Sequence, residues 1–169
     1  MQFRWNHTQG APDYNRETGF GFVTGAVYTA DAGLHIPETN SGFLPLWWYA
    51  GTPISDIRQS EYGLQATAAE ALRTEDAADR RLPVWLRIQV PGEGVYRAEI
   101  TVTGTDGGEV LVFTGRRRLA WRGVLPAGAQ QIVTAYCDVF PIVPRGQADA
   151  VASDAVNIAV VGGALSAVA

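Results

Sequence analysis

Two clusters of side chains stand out for recognition chemistry. One is three consecutive rings, Trp47, Trp48 and Tyr49, in a Pro/Gly-rich stretch; the other is three consecutive guanidinium groups, Arg116, Arg117 and Arg118. Adjacent side chains cannot all point into one core, so at least one ring is expected at the surface or beneath something outside this chain. A sugar offers apolar C–H faces that stack on such rings, and its hydroxyls need planar polar groups alongside. Covering exposed ring surface returns roughly 25 cal/mol per Å2 of apolar area. Three roles stay open for this loop: plugging one end of the molecule, contacting sugar, or meeting another protein or domain. In a strand, Arg116 and Arg118 point one way and Arg117 the other, toward the side of Leu119 and Trp121. An inward arginine must be paired, because an unpaired buried charge is strongly unfavourable. The run reads as a charged surface with one structural arginine, or as an anchor for a carboxylate-bearing ligand such as a uronate.

Catalytic arrangements find little support. The serines at 41, 55, 60, 153 and 166 include no Gly-x-Ser-x-Gly and no Gly-Asp-Ser, and Ser153-Asp154 lacks the glycines of a strained nucleophile turn. The two histidines, His7 and His35, form no His-x-x-x-His, and the lone Cys137 allows no Cys-x-x-Cys. His7 reads as a polar loop residue, His35 as a strand residue with a local hydrogen bond, and Cys137 as a buried small hydrophobe. No cofactor is expected. A structural calcium ion stays open, since backbone carbonyls supply much of its shell, with Asp31 and Asp106 as contributors. Gly19-Phe-Gly21 followed by Gly25 misses the dinucleotide-binding spacing by one residue. Paired carboxylates for glycoside cleavage are defined by a separation in space that a sequence does not give.

The chain has 169 residues, 13 basic (all arginine) against 17 acidic, and a formal charge of −4. That length makes one domain able to bury a core. Apolar residues at 47% against 18% charged exclude disorder driven by low hydrophobicity. The acidic balance argues against nucleic-acid binding, which needs a basic surface, but not against a neutral glycan. No segment reaches the roughly 18 apolar residues of a membrane helix. No leader pattern follows Met1, so a cytoplasmic location is expected if Met1 is the native start.

The elements that must position these residues are short alternating runs bounded by Gly, Pro or Asp. Residues 84–90 and 95–103 are expected as a hairpin around Pro91-Gly-Glu-Gly94. In the second strand Tyr96, Ala98, Ile100 and Val102 share the buried face, and Arg97, Glu99, Thr101 and Thr103 the wet one. Further strands are expected at 109–114, 119–125, 132–140, 156–161 and 164–169. The stretch 38–59 reads as a long inserted loop. Residues 66–81 read as a short helix with Asp76 and Arg80 paired at i,i+4, although 62–67 could begin as a strand. The fold class is all-β: one antiparallel β-sandwich or jelly roll over 1–169.

Taken in order, these motifs resemble a known module. Phe3-Arg-Trp-Asn6, Tyr14 and Gly19-Phe-Gly-Phe22 resemble the opening of the galactose-binding-like β-sandwich that precedes the catalytic domain of bacterial rhamnogalacturonan acetylesterases and related GDSL/SGNH carbohydrate esterases. Beta-agarases carry a similar module. The run 86–102 looks like its central hairpin. The Arg-Arg-Leu step at 117–119, the Pro-Ala-Gly turn, Ile142-Val-Pro-Arg-Gly146 and the segment 156–169 look like its later parts. The resemblance implies a non-catalytic accessory domain that packs on a downstream esterase domain of the same polypeptide and shapes its glycan cleft; its motifs fix no sugar contacts, and contact with a pectic or galactose-rich glycan stays open through Trp47, Trp48 or Tyr49. Such a family's catalytic Ser, Asp and His belong to that downstream domain, so none is carried over here. An autonomous carbohydrate-binding module is the alternative, and a self-sufficient enzyme the third.

Overall fold

Runs in which every second residue is Val, Ile or Leu present one apolar face when extended, and two such faces are stable only against each other. A computed structural model describes residues 2–22, 27–29, 33–35, 56–67, 83–115, 118–141 and 154–169. Its strands are β1 (Trp5–Asn6), β2 (Phe20–Phe22), β3 (Val27–Thr29), β4 (Gly33–His35), β5 (Asp56–Ser60), β6 (Gly63–Thr67), β7 (Pro83–Gln89), β8 (Gly94–Thr103), β9 (Glu109–Thr114), β10 (Arg118–Val124), β11 (Gln130–Val139), β12 (Ala155–Val161) and β13 (Ala164–Val168). Sheet 1 has six strands, in the order β11-β8-β13-β6-β5 with β1 also on β13. Sheet 2 has five, in the order β10-β9-β12-β7-β2. All pairings between these strands are antiparallel.

The all-β expectation is met, with two antiparallel sheets forming a sandwich. The core lies between them. Sheet 1 contributes Leu64, Ile100, Val102, Val133 and Leu165, and sheet 2 contributes Val84, Leu86, Val112, Ile158 and Val160, all buried. Trp5 and Phe22 meet edge to face, 5.1 Å between ring centres, at one margin of this core.

The expected strands from 84 onward are present within a residue or two, and the face assignment in β8 holds except that Thr103 is buried. The expected hairpin is not formed. β7 pairs with β12 and β2 in sheet 2, whereas β8 pairs with β11 and β13 in sheet 1. The Pro-Gly-Glu-Gly step therefore arches from one layer to the other. Both strands bury apolar faces by pairing with segments distant in the chain, a choice that the composition of a turn does not encode. Within the stretch expected as a loop, 56–59 belong to β5, which forms a tight hairpin with β6. Ala66 and Thr67 end β6 rather than opening a helix; the remainder of the expected helix, Asp76 and Arg80 included, lies outside the described residues.

Gly19-Phe-Gly21 has a structural explanation. The chain from Pro12 to Asn15 runs alongside β2, with the Tyr14 N–H donating to the Phe22 carbonyl at 2.9 Å and the Phe22 N–H donating to that of Pro12 at 2.7 Å. A Cβ on Gly21, whose φ is +154°, would fall 2.4 Å from the Cα of Tyr14. The glycine is there so that backbone can lie on backbone. Gly21→Ala is expected to destabilise the fold by roughly 3 kcal/mol or more through this clash, read as a lowered midpoint in urea unfolding.

Candidate functional site

The structure brings few of the sequence-derived candidates together. Trp47, Trp48, Tyr49 and Arg116 lie outside the described residues, as do Arg117, Asp31 and Ser153. Arg118 opens β10 on the surface. Its guanidinium lies 3.7 Å from the Asp138 carboxylate and donates to the Tyr136 carbonyl at 3.4 Å, linking the outer strands of the two sheets. Both partners of that ion pair are more than half exposed, so it contributes little stability. Leu119 and Trp121 do not share a side, because a bulge between them shifts the register. Leu119 is exposed, while Trp121 turns inward against the core, its ring over Gly123.

The potential catalytic groups are engaged in local structure. His7 opens a short 3-10 turn, with its Nδ1 3.3 Å from the backbone carbonyl of Ser166. The buried Ser166 hydroxyl donates to the Tyr62 carbonyl at 2.8 Å and shares a 2.6 Å hydrogen bond with Thr103. Asp106 accepts the Gly108 N–H at 2.8 Å, closing its own turn. His35 lies in β4 opposite Val27. No cluster of three or more metal-ligating side chains occurs among the described residues.

A polar group that alternation alone did not single out lies on the outer face of sheet 2. Every residue of β12, and of β7 from Pro83 to Ile88, is buried, so a charge there must be satisfied within the protein. The Arg87 guanidinium, 4% exposed, donates to Asp154 at 3.1 Å and stacks over the Tyr14 ring at 5.0 Å. Arg16 reaches the other Asp154 oxygen at 3.9 Å. Two residues back along β7, Trp85 donates from Nε1 to Oδ1 of Asn157, the residue opposite Arg87, at 3.3 Å. The signal in the sequence was an arginine inside a continuous apolar run, Val84-Trp-Leu-Arg-Ile88. Its burial makes this group a brace that fastens the segment around Tyr14 to the sheet, and keeps it from reaching a ligand.

A cleft of about 280 Å3 lies where the ends of the sheets part. Ile88 and Val156 wall one side, Tyr96 to Glu99 the other, and Phe3 and Arg4 close it. An adjoining hollow of about 340 Å3 shares Arg4 and Glu99 and extends toward Ile132. Phe3 is held edge-on to Phe20 at 5.4 Å, and the Tyr96 hydroxyl donates to the Gly92 carbonyl at 2.7 Å, so both rings are oriented. Arg97 and Glu99 pair on the solvent side of β8. The lining includes aromatic rings, guanidinium groups and a carboxylate, with Tyr96 on the core face of β8 and Arg97 and Glu99 at its solvent-facing rim, and no serine, cysteine or histidine is among the lining residues.

Cys137 faces the core from β11 and is 1% exposed. Burial pushes its thiol up to about 11 against an ordinary 9.0, opposed in part by a hydrogen bond with Thr114. Below pH 9 the thiol is protonated in both folded and unfolded chains. Between about pH 9 and 11 the unfolded chain loses the proton first, so stability falls as pH rises through that window. The expected loss is roughly 2 kcal/mol, absent in Cys137→Ala and measurable from urea midpoints at pH 8 and pH 11. Arg87→Ala is expected to cost about 2–4 kcal/mol. This is less than a fully enclosed pair would lose, because Asp154 remains 36% exposed; thermal unfolding reads it directly.

Comparison of the chain with protein-family models, with curated proteins and with solved structures found no match.

Proposed function

We propose that this chain is a non-catalytic, galactose-binding-like jelly-roll module of a GDSL-type carbohydrate esterase, packing on the catalytic domain and contacting a pectic or galactose-rich glycan. The observation that carries this reading is the cleft joining Phe3 and Tyr96 to Arg4, Arg97 and Glu99. A saccharide has an apolar face for a ring and hydroxyls that both donate and accept, and this cleft offers a partner for each. The two antiparallel sheets support the reading at the level of architecture. The motifs at 3–6, 14 and 19–22 also support it: Trp5 and Phe22 pack together, and Tyr14 lies along β2.

Trp47, Trp48 and Tyr49, singled out by the sequence, lie outside the described residues, and substitution separates their contribution from that of the cleft. Calorimetric titration with pectic and galactose-rich oligosaccharides is expected to give saturable binding that Tyr96→Ala weakens by about tenfold or more, near 1.4 kcal/mol. Glu99→Gln should weaken it less, since the amide keeps one acceptor oxygen. Loss of binding in Trp47→Ala or Trp48→Ala with Tyr96→Ala unaffected would move the contact to the loop. No heat with any glycan, or acetyl-ester hydrolysis by this chain alone, would overturn the proposal.

A further inference from the structure

Strand β11 ends sheet 1, and its outer side has no strand beside it among the described residues. The direction of its backbone groups follows from its neighbours. Glu99 exchanges both its N–H and C=O bonds with Ala169, on the β13 side of β8. Its alternate neighbours Ala98, Ile100 and Val102 therefore bond toward β11, where they face Ala135, Val133 and Gln131. Gln130, Ile132, Thr134, Tyr136 and Asp138 are left with N–H and C=O groups directed away from the sheet. Arg118 reaching the Tyr136 carbonyl from outside agrees with this assignment.

Folded proteins blunt such an edge with lysine, proline, a bulge or a short strand. β11 is ten residues long, pairs with β8 without a bulge, and contains no lysine, arginine or proline. Two outward carbonyls carry side-chain caps: Arg118 on Tyr136, and the Gln131 amide on Ile132 at 2.6 Å. Each carbonyl keeps a second lone pair, and the corresponding N–H groups are uncapped among the described residues. Ile132 and Tyr136 are also 61% and 54% exposed, large apolar side chains on the solvent face of this edge.

We propose that this edge pairs with the same edge of a second copy of the chain, joining two six-stranded sheets into one across a twofold axis at Thr134. The outward residues read nearly alike from either end. In antiparallel register about that axis, Thr134 meets Thr134 of the second copy, Ile132 meets Tyr136, and Gln130 meets Asp138. Every outward N–H then finds a carbonyl, since residues with outward backbone groups fall opposite one another. The two exposed apolar side chains cover each other, and threonines pair at the centre, both favourable cross-strand combinations. Asp138, the single charge of the strand, faces a neutral amide, so no like charges meet. A seam of this kind buries less than the roughly 1,200–2,000 Å2 of stable complexes, so association should be concentration-dependent, in about the micromolar range.

Sedimentation velocity on the full chain, from about 1 to 500 μM, is expected to show a shift from 18.1 kDa to twice that mass. Amides of Ile132, Thr134 and Tyr136 should gain exchange protection over the same range. Thr134→Arg sets like charges face to face on the axis and should weaken association more than tenfold. Thr134→Pro removes an outward N–H while leaving the ladder to β8 intact, and should do the same with unchanged circular dichroism. Mixing Thr134→Arg with Thr134→Glu should restore the doubled mass. Monomer at every concentration would overturn the proposal, as would a dimer indifferent to both Thr134 variants. A monomer already protected at the Thr134 amide would overturn it equally, since another segment would then occupy the edge.

Discussion

Interdigitation of Val, Ile and Leu side chains between two antiparallel sheets is the constraint from which the remaining features follow. Once Ile100 and Val102 of one sheet meet Val112 and Ile158 of the other, each strand has only one face left for anything else. In the middle of sheet 2 that second face is buried as well. A charge placed there has to bring its own partners, and Arg87 does so with Asp154 and the ring of Tyr14. The same logic explains why Gly21 carries no side chain: the segment that supplies Tyr14 lies against it. Burial thus dictates polar pairing, and polar pairing dictates where the N-terminal segment runs.

Much of the strand content was legible because alternation is a local property. From residue 84 on, the apolar period located β7 to β13 closely, and it assigned Arg97 and Glu99 to the wet face of β8. Pairing was not legible. The step between β7 and β8 has the Pro/Gly composition of a hairpin, yet it joins two layers, and only the distant partners β12 and β11 decide that. The bulge between Leu119 and Trp121 also escaped, because one extra residue inverts a face without changing composition. The candidate cleft was legible only in fragments. Tyr96, Arg97 and Glu99 sit in one strand, but Phe3 and Arg4 reach them from the other end of the chain.

The surface divides by the same physics. At one end of the sandwich the sheets part enough to leave a concavity whose lining includes aromatic residues and, at its rim, charged ones. Along the side, β11 turns a row of backbone donors and acceptors outward, with no strand beside it among the described residues. A concavity suits a compact ligand with hydroxyls; a row of amides suits another strand. Arg118 belongs to the second kind of surface, since its contacts are with the carbonyl of Tyr136 and the carboxylate of Asp138.

The pairing of Trp5 with Val168 places the first strand of the sandwich beside the last. During synthesis β1, with Trp5, has no partner strand until β13 has been made. Contacts this remote in sequence slow the search for the native state. Because Trp5 and Val168 are neighbours in space, linking β13 to β1 in the isolated sandwich and opening it at the Glu61-Tyr62 turn would yield a permuted polypeptide in which β13 and β1 are made in immediate succession.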